Sequence, residues 1–146
     1  PRWSLSARPG DLFYVTNPDA SYFLEGVALS LGPGRAFLHA SGNDGSRGWG
    51  EAGKNGANCT LIAKDQILSG DIIVDERSSV SLTLRGGSAY TGAVNAANTG
   101  SAKVTLEDGA TWTLTGNAYL TTFTGRISGI IANGFNVFVN GVALIN

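Results

Sequence analysis

The chain has 146 residues, of which 14% are charged and 21 are glycine, and its formal net charge is −1. This length predicts one domain, residues 1–146, while the near-neutral charge gives no electrostatic basis for binding nucleic acid. The sequence contains no apolar run of about 18 residues, so we expect no insertion into a membrane. A low charged fraction leaves Ser, Thr, Asn and backbone to form much of the polar surface, as is common in extracellular β-proteins.

The first third of the sequence predicts three irregularly spaced strands. Residues 11–16 and 22–27 are separated by the turn sequence Asn17-Pro18-Asp19, and residues 36–40 form the third strand. A Gly-rich excursion, residues 41–57, follows. Loops of this length without secondary structure are unusual and are commonly functional or disordered. We expect this excursion to interrupt an otherwise regular fold.

The second half of the chain nearly repeats itself. Superposing Leu84 on Leu106 gives a period of 22 residues, and superposing Gly92 on Gly116 gives 24. Apolar and polar residues alternate in short segments without helical periodicity, as in half-buried strands. Pairs such as Asn140-Gly141 supply positive φ at corners, or close hairpins. A period in the twenties indicates that one supersecondary unit stacks on the next, which predicts an all-β solenoid with parallel strands.

Few residues carry catalytic or metal-binding chemistry. Cys59 is the only cysteine, and we expect it to be buried as a small apolar residue. His39 is the only histidine, and we expect a hydrogen-bonded residue at a strand edge rather than a member of a Ser-His-Asp triad. No His/Cys cluster has metal-ligand spacing, and no Gly-rich loop leads from a strand into a helix. We therefore assign no catalytic residue, metal or cofactor.

Two carboxylates are the strongest sequence argument for an enzyme. Asp71 and Asp75 share strand parity and could face solvent together. Polysaccharide lyases and hydrolases with a parallel β-helix need such clustered carboxylates, for Ca²⁺ or as an acid–base pair. Asp is also favoured at turn corners, where it forms local hydrogen bonds. We favour the corner role, and we keep a polysaccharide lyase or hydrolase as the alternative function.

A row of threonines suggests ice binding as a second alternative. Thr111, Thr113 and Thr115 alternate in one outward row, and stacked threonines form flat ice-binding faces in some solenoids. We expect the neighbouring coil to place charged residues at comparable positions, in the segment that contains Lys103, Thr105 and Glu107. Because an ice-binding face should be uncharged, the favoured explanation of the row is ordinary β-propensity.

Two further residues are candidates for surface contacts or modification. Trp49 lies in the Gly-rich excursion, where it could form a carbohydrate platform, anchor another chain, or fold back to cap an apolar end. Asn58 begins an Asn-Cys-Thr sequon, which would permit N-glycosylation if the source is eukaryotic.

Several blocks of the chain, in their order, resemble the passengers of autotransporter-like bacterial adhesins. They span residues 48–56, 66–72, 78–82, 88–95, 110–120 and 133–141. The resemblance covers about residues 10–145, although the chain has fewer coils than a long passenger. It implies a right-handed parallel β-helix carried on the cell surface.

We therefore expect a right-handed parallel β-helix of about six coils, with little or no helix. Its expected role is that of a non-catalytic structural or adhesive module, extracellular or at the cell surface. Because the chain starts at Pro1 without Met, we expect a mature or excised segment of a larger surface protein. Unpaired strand edges at the solenoid ends predict homo-oligomers or filaments by end-to-end or lateral stacking. A carbohydrate or host surface is the other expected partner.

Overall fold

The computed structural model describes residues 4–6, 10–32, 36–43, 51 and 54–145, and for residues 4–6 it describes the backbone alone. Within these residues the chain is an all-β solenoid of about five turns, which confirms the predicted fold class. No helix in this part of the chain is long and apolar enough to cross a membrane. Trp49 lies outside the described residues.

The strands are short, and their bounds are as follows. They are β1 (Ser4–Ser6), β2 (Phe13–Val15), β3 (Asp19–Glu25), β4 (Ala28–Ser30), β5 (Leu38–Ala40), β6 (Asn58–Lys64), β7 (Ile67–Ser69), β8 (Ile72–Val74), β9 (Ser79–Arg85), β10 (Ala89–Thr91), β11 (Ser101–Leu106), β12 (Thr111–Thr113), β13 (Ala118–Leu120), β14 (Thr122–Thr124), β15 (Ile130–Ile131), β16 (Val137–Val139) and β17 (Val142–Ala143). A 3₁₀ turn, Ile127–Gly129, lies between β14 and β15.

Three walls, each made of parallel strands, enclose the core. Face 1 has the strand order β14-β11-β9-β6-β3, and face 2 has the order β15-β12-β10-β7. Face 3 starts with β2-β5-β8, continues through a bridge between Ile72 and Val94, and ends with β13-β16. The chain visits the three faces in turn, so that each coil adds one strand, or one bridge, to a wall. Strands β1 and β4 form a separate parallel pair.

The register explains both periods found in the sequence. On face 1 Leu84 pairs with Leu106, which is the shorter period. On face 3 the N–H of Tyr119 donates to the carbonyl of Val94 (3.2 Å), which places Ala118 beside Val94 and gives the longer period. The additional residues of the longer period therefore lie on the path from face 2 to face 3, shortly before Ala118. The predicted drift between the two periods is real, and it is local to this corner.

One coil is much longer than the others, as the Gly-rich excursion predicts. Asp19 of β3 pairs with Asn58 of β6, although the two are 39 residues apart in the sequence. The described ends of the excursion are bonded to each other, since the N–H of Asn43 donates to the carbonyl of Lys54 (2.9 Å). The N–H of Asn17 likewise donates to the carbonyl of Asn55 (2.9 Å). Strands β3 and β6 are therefore paired in full register although the excursion lies between them in the sequence.

Alternation along the strands builds the core. In β9 the side chains of Val80, Leu82 and Leu84 are buried, while those of the residues between them face outward and are partly exposed. Trp112 is fully buried, and its indole N–H donates to the carbonyl of Gly92 (3.0 Å). Burial of apolar side chains in each coil against the next is the main stabilising term of such a fold.

The last turn ends in a hairpin. Asn140 (φ 49°) and Gly141 (φ 82°) both adopt left-handed backbone conformations, which suit a two-residue turn. They join β16 to β17, and β17 pairs antiparallel with β16. The hairpin therefore covers the outer edge of the last strand of face 3.

Candidate functional site

Asp71 and Asp75 stand at the two ends of β8 and connect neighbouring coils. One carboxylate oxygen of Asp71 accepts a hydrogen bond from the N–H of Ala93 (3.0 Å) and one from the Thr115 hydroxyl (3.4 Å). One oxygen of Asp75 accepts from the N–H of Gly42 (2.6 Å), which is 33 residues earlier in the chain. The predicted corner role therefore agrees with the geometry, but the bonds reach across coils in addition to the local turn.

The environment of Asp75 favours its charged form. Burial raises the pKa of this carboxyl, but hydrogen bonds from the side chains of Ser78 and Ser41 and from the N–H groups of Gly42 and Arg77 outweigh burial. The pKa of Asp75 is therefore lowered below its ordinary value. A carboxylate held ionised by four donors suits a structural role better than that of a catalytic acid.

His39 forms a hydrogen-bond contact with a carboxylate of the preceding coil. Its Nδ1 lies 2.8 Å from Oδ2 of Asp11, while Oδ1 of Asp11 accepts a hydrogen bond from the N–H of Ala36 (2.9 Å). The imidazole also meets the ring of Tyr14 edge to face, with 5.1 Å between the ring centroids. The hydroxyl of Ser41, which follows the end of β5, bonds to Asp75 instead (3.3 Å). The expectation of a hydrogen-bonded histidine on a strand agrees with this contact.

Cys59 is buried, as predicted, with 2% of its surface exposed. Burial raises the pKa of its thiol to about 11. Within the described ranges, no group of three or more His, Cys, Asp or Glu side chains is arranged to hold a metal ion.

The threonine row lies on face 2, and its predicted neighbours were wrong. Thr111 and Thr113 pair with Ala89 and Thr91 of β10, while Thr115 lies beyond the end of β12. The segment expected beside the row belongs to β11 on face 1, where Lys103 pairs with Ser81. Strands of different faces alternate in the same way, so alternation alone does not show which strands are neighbours. The outward side of face 2 carries only uncharged side chains, from Ile67, Ser69, Ala89, Thr91, Thr111, Thr113 and Ile131.

Face 1 is the sheet with the most strands in the described part of the chain, and its outer side carries mainly polar side chains; sequence reasoning did not single it out. Its two lateral margins are bonded from coil to coil. At one margin Asn58 donates to Asp19 (2.9 Å) and accepts from Ser79 (2.7 Å). At the other, Lys64 pairs with Glu25 (3.2 Å), and the next two coils add a pair between Arg85 and Glu107 (3.0 Å).

Between these margins face 1 has a column of small hydroxyl side chains that contains one cation. The paired residues of this column are Ser21, Thr60, Ser81, Lys103 and Thr122. A shallow groove of about 130 Å³ runs beside it, lined by Asn58, Cys59, Thr60, Ser79, Val80, Ser81, Ser101 and Lys103. We call this groove, with the hydroxyl groups around it, the hydroxyl groove. The sequon residue Asn58 therefore lies on strand β6 at the margin of this groove, and its amide is bonded to Asp19.

Comparisons with protein-family models, with curated proteins and with solved structures found no match for this chain. The fold itself agrees with the resemblance to adhesin passengers, because the chain is a solenoid of parallel strands.

Proposed function

We propose that this chain is a non-catalytic structural or adhesive module of an extracellular or cell-surface protein, as in the adhesin passengers it resembles. The supporting observation is that the candidate catalytic carboxylates form hydrogen bonds that connect the coils of the solenoid. Asp71 and Asp75 bind donors on neighbouring coils, and the pKa of Asp75 is lowered by those donors. In such a module the backbone hydrogen bonds between coils determine the shape, and the buried core supplies stability. The broad outer faces contact the binding partner.

The competing enzyme proposal is tested by measuring binding and cleavage on the same samples. The purified chain is incubated with acidic and neutral polysaccharides at several Ca²⁺ concentrations, and both retention and new chain ends are measured. We expect binding without cleavage. Cleavage that disappears in Asp71→Ala, but persists in the control Asp108→Ala, would overturn the proposal in favour of a lyase or hydrolase. Asp108 suits as a control because 85% of its side chain is exposed.

Self-association is part of the same proposal. Strand β3 is the outermost strand of face 1 at one end of the solenoid, and β14 is outermost at the other. Unpaired strand edges favour pairing with a further chain, whereas β17 covers the edge of β16. We expect oligomers or filaments that grow with concentration, through end-to-end or lateral contacts. A strict monomer at high concentration, in light scattering and electron microscopy, would refute this.

Ice binding remains a second candidate function because the outward side of face 2 is uncharged and carries threonines. Its outward residues are uncharged, and Thr91 and Thr113 stand on adjacent strands at paired positions. The charged residues expected beside the threonines, Lys103 and Glu107, lie on face 1 instead, and the Asp71 carboxylate contacts only the end of the row, where it accepts a hydrogen bond from Thr115 (3.4 Å). Thermal hysteresis of the parent chain, followed by Thr113→Lys, tests the idea. Absence of hysteresis in the parent would end it.

A further inference from the structure

We propose that the hydroxyl groove on face 1 binds a carboxylate-bearing polysaccharide, with Lys103 as the partner of a carboxylate. The proposal rests on the adhesive function proposed above and names its ligand class. Four observations carry it: the isolation of one cation, the unused hydrogen-bonding groups beside it, an exposed aromatic ring on the same face, and the bonded side chains that hold the groove in shape.

Lys103 differs from every other Lys and Arg that the structure describes, because it has no ion pair. The others contact carboxylates, in the pairs Lys54–Glu51, Lys64–Glu25, Arg77–Glu76, Arg85–Glu107 and Arg126–Asp108. Lys103 instead lies between Ser81 and Thr122 on the adjacent strands. Its ammonium group is therefore surrounded by neutral hydroxyl side chains, and an incoming anion meets no carboxylate of the same column. This favours a ligand with a negative group at this position.

Three of the four hydroxyl side chains that line the groove are free to bind a ligand, while the fourth, Ser79, is bonded to Asn58. Thr60, Ser81 and Ser101 line it, and within the described ranges none of their hydroxyls has a hydrogen-bond partner in the protein. A hydroxyl both donates and accepts hydrogen bonds, so a row of them matches the hydroxyl groups of a sugar. At about 130 Å³ the groove is smaller than the sites of drug-sized ligands, which suits one unit of a longer chain.

An apolar platform stands on the same side of face 1. Phe23 of β3 is 56% exposed, and it pairs with Ile62 of β6 in the column next to that of Lys103. Three strand spacings separate β3 from β11, which is about 14 Å along the solenoid axis. The apolar face of a sugar ring can pack on an aromatic ring, as apolar ligand surface does in binding sites. A polysaccharide of several units would therefore contact both Phe23 and Lys103.

The rigidity of the surface favours this binding. Ser79 and Asn58 are bonded to each other (2.7 Å) and hold one wall of the groove. The strands beneath are paired on both sides, β6 with β3 and β9, and β9 with β11. A preformed site loses little conformational entropy when a ligand binds.

The test measures binding of a polyuronate and of its neutral methyl ester to the whole chain by calorimetry, at low and high salt. Lys103→Gln removes the charge, and Lys64→Gln is the matched control, an ion-paired lysine on the same face. We expect Lys103→Gln to weaken polyuronate binding about tenfold, as loss of a charge-assisted hydrogen bond does, without changing the weaker binding of the ester. Lys64→Gln should change binding less than twofold, and Phe23→Ser should weaken both ligands.

The outcomes separate this proposal from the adhesive function. Equal polyuronate affinity of Lys103→Gln and the parent chain would overturn it, as would equal affinity of the parent for polyuronate and ester. Binding of neutral polysaccharides alone would also overturn it, while leaving the adhesive function standing. Failure of the parent to bind any polysaccharide would overturn it as well, while adhesion to another host surface and the structural role would stand.

Discussion

Replacing Asp75 by alanine tests whether carboxylates at the coil corners stabilise the solenoid. The carboxylate accepts hydrogen bonds from the N–H of Gly42 (2.6 Å), the N–H of Arg77 (3.1 Å) and the hydroxyl of Ser41 (3.3 Å). It therefore connects the corner after β8 to the start of the long excursion. The substitution leaves the N–H of Gly42, a buried residue, without its acceptor.

The expected loss in the free energy of unfolding follows from these hydrogen bonds. A hydrogen bond to a charged group contributes about 1.5–3 kcal/mol, and an unsatisfied buried donor costs about 1–3 kcal/mol. Water can reach the more exposed donors, so the contributions do not add in full, and we expect Asp75→Ala to lower the free energy of unfolding by about 3 kcal/mol at pH 7. The control Asp108→Ala removes a carboxylate that is 85% exposed, and it should cost less than about 0.5 kcal/mol.

The loss should depend on pH because the pKa of Asp75 is lowered in the folded state. As pH falls below the ordinary value of 3.8, the unfolded chain takes up a proton at this position before the folded chain does. The contribution of the carboxylate is therefore complete above about pH 5, and it is lost as pH falls through the lowered folded pKa. Urea unfolding of the parent and both variants, followed by tryptophan fluorescence between pH 7 and 3, measures this. An Asp75→Ala loss no larger than that of the control, or the same loss at pH 7 and pH 3, would refute the argument.

Three further substitutions or reactions test the core. Tyr90→Phe removes a buried hydroxyl that donates to the carbonyl of Gly70 (2.8 Å), and it should cost about 1–2 kcal/mol in urea unfolding. Because burial and the nearby Asp71 carboxylate raise the pKa of Tyr90 well above its ordinary value, the substitution should also remove a phenol that titrates late in an alkaline absorbance titration. Cys59, with a pKa of about 11, should react slowly with a thiol reagent at pH 8 and rapidly in urea, and equal rates would contradict its burial. Leu82→Ala should cost about 3 kcal/mol, whereas Thr83→Ala on the outer side of the same strand should cost less than about 1 kcal/mol.

The regular part of the fold could be predicted because two independent patterns agree there. Alternation identified the buried side of β9 and β11, and the near-repeat of the sequence identified Leu106 as the partner of Leu84. Parallel stacking requires equal spacing of equivalent residues, so a repeat in the sequence carries register as well as fold class. The same spacing, counted back from Thr111, gives Ala89 as its partner. The error at the threonine row came from using alternation where the repeat was the informative signal.

Other features were not accessible from the sequence. The contact of Asp75 with Gly42 spans 33 residues and depends on where the irregular excursion rejoins the solenoid. The isolation of Lys103 depends on which side chains stand beside it on β9 and β14. Glu107 lies close to Lys103 in the sequence, yet it pairs with Arg85 at the margin of face 1. Charge patterns along a strand therefore do not show which charges remain unpaired across coils.

The length of chain in each regular coil also determines how the module would respond to a pulling force. Hydrogen bonds between coils run along the solenoid axis, and each coil contacts only its neighbours, so tension applied to the ends breaks the coils apart one after another. A stacked coil adds about 4.8 Å to the length of the solenoid. The segment from Leu84 to its partner Leu106, once pulled straight, reaches roughly 75 Å. Each coil that opens under load would therefore extend to about 15 times its own stacked height, in separate steps that single-molecule stretching can resolve.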